Sequence, residues 1–305
     1  MGRHVRVGVT GSSGFIGTAL VSALLERGDE VVRFVRPDSR HVAGDTIRWD
    51  PSRGLVDEGD VRRVGGFDAV VNLAGAGLAD RRWTSARKEE ILRSRTDVTS
   101  LLVRVLSESS GTAFLASGSA VGVYGSRGDE SLDESSTFGD DYLARVCVQW
   151  EEATSPLERS GASVAHLRTG IVLSSRGGAL KKQLPLFRIG LGGTFGSGNQ
   201  WLSPISLRDE VRAILWLLET RASGPFNLVA PAALTNRAFT HALARQVHRP
   251  ARLRIPSTAL RVVLGRELVT SAILASQRVV PTALHDSGFS FEDPDIQAIL
   301  SSALA

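Results

Sequence analysis

The sequence predicts an α/β fold: a doubly wound, mostly parallel sheet with helices on both faces and a small, mainly helical C-terminal lobe. Residues 5–10 are a valine-rich run that passes straight into Gly11-Ser12-Ser13-Gly14-Phe15-Ile16-Gly17. Such a run followed by clustered glycines reads as a buried strand, a tight turn and a helix start. Strand-like and helical runs then alternate as far as residue 167, the pattern of a parallel sheet with right-handed crossovers. The pattern changes after Arg168. Glycines 190, 192, 193, 196 and 198 crowd one stretch, and Pro231, Pro250, Pro256, Pro281 and Pro294 punctuate the remainder, so short helices replace the alternation there.

A helix is expected over 15–27, closed by Gly28, followed by a strand over 30–35 and a short one over 46–49. A strand over 68–73 precedes a long helix over 84–107, which carries Ile91, Val98, Leu101, Leu102 and Val105 at helical spacing. Next come a strand over 112–117, a helix over 140–158 and a strand over 162–167. A helix over 207–218 and a strand over 226–229 follow, with helices starting near Asn236, Ser257 and Asp295. This places a Rossmann-like domain over 1–235, with substrate-lobe insertions from about 170–206, and a helical domain over 236–305.

The bulk properties narrow the functional classes. Hydrophobic content of 42% with 22% charge describes an ordinary globular protein, and no apolar run reaches the length of a membrane span. Cys147 stands alone, so no internal disulfide forms and a reducing, cytoplasmic setting is expected. The N-terminal residues lack a long apolar region with a cleavage site. The pI near 9.8 suits anionic partners such as phosphorylated cofactors. The arginines read as scattered, with no dense basic tail, so no nucleic acid is expected as partner. The six histidines show no paired ligand spacing, so no metal site is expected, and no G-x-S-x-G elbow is present.

The glycine turn points to a dinucleotide. Gly11 allows the turn after the first strand, Gly14 lets the backbone approach a pyrophosphate, and Gly17 lets the helix pack closely. Ser13, Phe15 and Ile16 complete the predicted cradle at the helix N-terminus, whose free N–H groups attract phosphate. The second strand ends Arg33-Phe34-Val35-Arg36-Pro37 and lacks the acidic residue that grips an unphosphorylated ribose. Arg36, assisted by Arg40, is expected to pair with a 2′-phosphate, which favours NADP (NADPH) over NAD; the alternative is a solvated arginine at a strand end. Asp50 is placed on the adenine side. Asn72, Leu73, Ala74 and Gly75 are expected to approach the middle of the cofactor, largely through backbone, with Ser117 nearby.

Further motifs sharpen the reading. They include Asn72-Leu73-Ala74-Gly75-Ala76-Gly77-Leu78-Ala79-Asp80-Arg81-Arg82-Trp83-Thr84, Arg87-Lys88 and Ser94-Arg95. Gly190-Leu191-Gly192-Gly193, Gln200-Trp201, His248-Arg249-Pro250, Gly265-Arg266-Glu267 and Gln277-Arg278-Val279 follow. Together they resemble the atypical and extended short-chain dehydrogenase/reductases, in particular the NAD-dependent epimerase/dehydratase-like group with a C-terminal domain of unknown function. The resemblance implies a serine after the fifth strand that binds the reacting oxygen, a tyrosine acid/base, and a lysine four residues later. Ser119 takes the serine role and Tyr142 the tyrosine position, but Val146 occupies the place of the lysine. Arg145, three residues from Tyr142, is the candidate substitute, and a packing role for Tyr142 is the alternative. Pro204 and Ser206 stand where the group commonly has a tryptophan and a histidine. The resemblance implies hydride transfer on a small carbonyl or hydroxyl substrate, in a monomer or homodimer. Arg81, Arg82 and Arg95 are candidates for an anionic group of that substrate. The rival reading is an NADP(H)-binding regulatory or interaction protein with little catalysis.

Overall fold

The structure, a computed structural model, describes residues 5–39, 44–108 and 114–305. The first half holds strands β1 (Arg6–Thr10), β2 (Glu30–Val35), β3 (Asp45–Asp50), β4 (Leu55–Val56), β5 (Ala69–Asn72), β6 (Phe114–Ala120) and β7 (Ser131–Leu132). The second half adds β8 (Val164–Thr169), β9 (Ile171–Leu173), β10 (Gly193–Phe195), β11 (Trp201–Leu202), β12 (Pro204–Ser206), β13 (Gly224–Leu228), β14 (Leu234–Thr235), β15 (Leu253–Ile255) and β16 (Arg278–Val279). The helices are α1 (Phe15–Arg27), α2 (Glu58–Val64), α3 (Ser85–Glu108), α4 (Tyr142–Glu152), α5 (Ser155–Arg159) and α6 (Gly178–Arg188). They continue with α7 (Leu207–Thr220), α8 (Asn236–Gln246), α9 (Ser257–Leu264), α10 (Arg266–Leu268), α11 (Thr282–Asp286) and α12 (Ile296–Leu304).

Eight strands form the central sheet in the order β13-β8-β6-β5-β1-β2-β3-β4. Every pairing in it is parallel except that of β3 with β4. The strand order runs outward in both directions from β1 and β5, which opens a crevice beyond the ends of those two strands. Burial on both faces explains the near-continuous apolar strands. On one face α1 and α7 pack Leu20, Leu24, Ile214 and Leu217 against Val7, Val9 and Leu167. On the other, Val98, Leu101 and Leu102 of α3 meet Val70 and Leu115. The expected helix over 140–158 is broken in two. Pro156 lies at the start of α5, and the Thr154 hydroxyl donates to the Glu151 carbonyl at 2.7 Å, so the helical ladder stops between them.

The smaller lobe has its own core. Leu180, Leu184 and Phe187 of the inserted α6 pack with Phe239 and Leu243 of α8 and Ile299 and Leu300 of α12. Between α10 and α12 the chain reaches back to the first half: β16 pairs in parallel with β7 in a separate two-stranded sheet. Among the described residues no helix is long and apolar enough to cross a membrane, and no group of three histidine, cysteine or acidic side chains is placed to hold a metal ion.

One acid is buried under the main sheet. Glu210 of α7 is fully buried, and its Oε1 accepts from the Thr169 hydroxyl at 2.9 Å. Oε2 has no partner among the described residues, and burial pushes the carboxyl up to about 8. The folded chain therefore holds this proton at pH values where the unfolded chain has lost it. The stabilisation is complete below the unfolded value near 4.5 and is lost as pH rises toward about 8. Glu210→Gln should remove up to about 1.4 kcal/mol per pH unit from the pH dependence of stability across that window. Denaturant unfolding at several pH values measures it, and identical slopes in the two proteins would refute the assignment.

Candidate active site at the ends of the central strands

The turn after β1 is built so that only glycine fits at two positions. Gly11 adopts φ +64, and a Cβ there would lie 2.7 Å from the Leu73 carbonyl oxygen. A Cβ on Gly17 would lie 2.2 Å from the Gly11 carbonyl oxygen. Both obstacles are backbone and cannot swing away. Gly14 caps α1 in an extended conformation without any side-chain cap, and Ser13 and Gly14 are exposed. The first N–H groups of α1 thus face the crevice with the positive end of the helix dipole behind them. This cradle fits a pyrophosphate. Phe15 and Ile16 point inward to the core. Gly177 lies close against the Phe15 ring, where a Cβ would come within 2.3 Å.

The opposite wall follows β5. The Thr10 hydroxyl donates to Asn72 Oδ1 at 2.7 Å and accepts from the Leu73 and Ala74 N–H groups at 3.1 and 3.2 Å. Asn72 Nδ2 donates to the Thr99 hydroxyl at 2.9 Å. The Asn72 side chain is therefore fully buried and consumed by this clamp, and Ser117 is also fully buried, its hydroxyl without a partner among the described residues. The Asn72 side chain and the Ser117 hydroxyl thus shape the wall from behind, which leaves only backbone for the expected approach of Asn72, and the residues bordering the crevice here are Leu73, Ala74 and Gly75. Beneath the loop, Arg95 donates to the Ile91 and Ala76 carbonyls at 2.9 and 3.1 Å, and Arg87 donates to the Gly77 carbonyl. Arg95 is thus occupied in holding the loop, with its guanidinium 5.1 Å from the Trp150 ring centre. Burial lowers its pKa from the ordinary arginine value. Asp50 ends β3 and accepts from the Ser52 hydroxyl at 2.6 Å. That bond is the leading reason its carboxyl lies below its ordinary value.

A buried polar cluster occupies the ends of β6 and β8. Ser119 donates to Glu151 Oε1 at 2.6 Å. Arg168, opposite Ser119 in the sheet, grips both carboxylate oxygens of Glu151 at 2.9 Å. Arg168 also donates to the Tyr124 hydroxyl at 3.0 Å, and Tyr124 donates to Asn227 Oδ1 at 2.7 Å. Burial would raise the Glu151 carboxyl, but the hydrogen bonds and charge of Arg168, with Ser119, outweigh it and hold the group below its ordinary value. Glu151 is an ionised acceptor at neutral pH, and Ser119 keeps both lone pairs available to another hydroxyl. Sequence reading missed Glu151. Its signal is an acid beside Trp150 on the face of α4 that also buries Cys147, a position where an acid needs a buried partner.

Tyr142, Ser119 and Arg145 are not joined by hydrogen bonds. The Tyr142 hydroxyl donates to the Lys88 carbonyl at 2.6 Å, and its ring meets Trp83 at 5.2 Å. Burial pushes its pKa up to about 12. Arg145 is exposed and donates to the Asp140 carbonyl instead of reaching Tyr142. Lys88 stands over the Tyr142 ring at 5.1 Å and pairs with Glu267 at 3.0 Å. Cys147 is buried and its thiol is pushed up to about 12, which makes it a packing residue.

A glycine cradle at a reversal of strand order and an uncapped helix end are the marks of an NAD(P)-binding enzyme of the epimerase/oxidoreductase type. Residues 7–229 match the NAD dependent epimerase/dehydratase family, and the chain belongs to it. Residues 255–303 match DUF1731, a domain of unknown function. Epimerase family protein Mb2239 of Mycobacterium bovis is 42% identical over 298 residues, 97% of each chain. The crystal structure of human epimerase family protein SDR39U1 with NADPH has a TM-score of 0.88 and 32% identity, covering 98% of each chain. The nucleoside-diphosphate sugar epimerase of Corynebacterium glutamicum has a TM-score of 0.78 and 35% identity, covering 99% of this chain and 58% of that one.

The expected preference for NADP over NAD is corrected. MoeE5, which shares the fold at a TM-score of 0.75 and 21% identity, is in complex with NAD. Proteins of this fold are thus solved with either dinucleotide. Arg36 lies on an exposed turn after β2, and a solvated arginine there does not choose between them; Arg40 lies outside the described residues.

Gly17→Ala tests the cradle, because the new methyl meets a carbonyl that cannot move. Dinucleotide affinity, followed by NADH fluorescence, should fall at least about tenfold. Unchanged affinity in a folded variant would place the dinucleotide elsewhere.

Proposed function

We propose that this chain binds a nicotinamide dinucleotide between the turn at Gly11–Gly17 and the wall at Leu73–Gly75, and acts on a carbinol or carbonyl carbon of a small hydroxylated substrate. A sugar nucleotide is one member of that class. The bound dinucleotide supplies hydride acceptance or donation. The N–H groups at the start of α1 hold its phosphates, and the Thr10 clamp fixes the opposite wall.

The observation that carries the reading is the bond from Ser119 to Glu151. A substrate hydroxyl donating to Ser119 Oγ would be oriented by a serine whose own proton already points to a carboxylate. As hydride leaves the carbinol carbon, the substrate O–H proton passes to Ser119 while the Ser119 proton moves to Glu151. Reduction would run the path backwards only after Glu151 takes up a proton from solvent. Arg168 keeps Glu151 ionised and fixed, so the relay returns to its starting state once the proton is released. Tyr142 is a poor base beside it, since its proton is engaged by a backbone carbonyl and its pKa lies near 12. In this reading Tyr142 shapes the site with Trp83, and Arg145 is a surface residue.

The test is hydride transfer across a panel of ketones, aldehydes and sugar nucleotides, run with both NADH and NADPH. Ser119→Ala should lower kcat at least about a hundredfold, and Tyr142→Phe should change it less than about threefold. Glu151→Gln should also lower kcat and flatten the loss of activity at low pH that protonation of Glu151 causes. Because it leaves Arg168 buried without its counter-ion, it should also cost about 3–5 kcal/mol of stability. An inactive Tyr142→Phe beside an active Ser119→Ala would overturn the relay.

A further inference from the structure

Residues 220–266 contain no aspartate or glutamate but eight arginines and two histidines. This segment alone carries a formal charge of +8 against +4 for the whole chain, so the remainder is acidic. The arginines are spread along the sequence, but the acids that would balance them are missing from this segment. Elsewhere many arginines are neutralised: Arg27, Arg63, Arg168, Arg208 and Arg212 all pair with carboxylates. Among the described residues, none of Arg245, Arg249 and Arg252 has a carboxylate partner, and His241 and His248 have none either.

These five side chains converge. The C-terminal half of α8 and the turn beyond it border an open depression of about 700 Å³, lined by His241, Arg245, His248, Arg249, Pro250 and Arg252 among others. The turn is tightly fixed. His248 N–H donates to the Arg245 carbonyl at 3.1 Å and Arg249 N–H to the Ala244 carbonyl at 3.0 Å. His248 takes φ +53, a left-handed conformation that glycine usually supplies at a helix end. Holding a histidine there is unfavourable and aims its ring at the depression's rim. Arg249 Nε donates to the Arg188 carbonyl at 3.1 Å, anchoring the rim to α6. The dipole at the end of α8 accounts for a cation or two in its last turn, but not for five basic side chains in a segment without acids.

We propose that this depression is a second anion site, which takes a small ligand bearing two or more linked phosphates. Guanidinium forks match phosphate oxygens in geometry as well as charge, and three of them face one concavity of small-molecule size. An extended nucleic acid or a lipid surface would call for a longer stripe or a convex face, whereas this basic cluster is folded inward around one helix end. None of the lining residues belongs to the crevice beyond β1 and β5, so the site is separate from the dinucleotide cradle and independent of the proposed reaction.

The experiment is calorimetric titration of the full chain with tripolyphosphate at about 0.1 M salt, with NADH present to occupy the cradle. The expected result is one site with Kd below about 1 mM, weakened at least about tenfold in the R245Q/R252Q double variant. NADH titration and thermal unfolding of that variant should match the parent chain, and R261Q, an arginine of the same segment on α9, should bind tripolyphosphate normally. If the double variant unfolds, R245Q alone replaces it with the same expectation. Absence of tripolyphosphate binding, or equal affinity in parent and variant, would overturn the proposal. So would an RNA oligonucleotide or phosphatidylserine vesicles that bind more tightly than tripolyphosphate and lose that binding in R245Q/R252Q, since the ligand would then be macromolecular.

Discussion

A guanidinium buried in the middle of a parallel sheet has to be neutralised where it stands, and much of the site follows from that requirement. Arg168 is 3% exposed and flanked by β6 and β13. Its charge fixes Glu151, which in turn fixes the Ser119 rotamer. Its remaining donors hold the Tyr124 hydroxyl and the Glu134 carbonyl, and Tyr124 hands the constraint on to Asn227. An isolated buried ion pair is weak grounds for stability. Here Glu151 Oε1 also accepts from Ser119 and a third Arg168 nitrogen donates to Tyr124 and to the Glu134 carbonyl, so the geometry around Ser119 is set by mutually dependent bonds.

The mostly parallel main sheet with helices on both faces was legible because burial on both faces leaves a strong imprint: valine-rich strands separated by amphipathic helices. The glycine cradle was legible for a steric reason, since a Cβ at Gly11 or Gly17 would strike backbone. The roles of Asn72 and Ser117 were not legible. Asn72 ends β5 and Ser117 lies beside it in the middle of β6, and only the fold reveals that both side chains are fully buried. Glu151 escaped notice because its partner lies on β8, beyond the reach of local spacing. Arg145 illustrates the reverse error. Helical spacing brings it to the same face as Tyr142, but a closer backbone carbonyl claims its charge.

The smaller lobe follows different rules from the sheet. Its core combines α6, which interrupts the main domain in sequence, with α8 and α12, so contiguity along the chain does not define it. It carries the positive charge, while the polar cluster near Ser119 carries the internal compensation.

The strand pairing between β7 and β16 bears on how the molecule is made. Gln277 donates to the Val121 and Gly125 carbonyls at 3.1 Å, and the Val280 carbonyl accepts from Asn227. These late residues brace the loop that follows Ser119. During synthesis from the N-terminus, the sheet and the cradle can assemble well before residues 277–280 leave the ribosome, but the surroundings of Ser119 cannot. The nascent protein would therefore acquire a folded nucleotide-binding half first and its finished polar cluster only near the end of translation.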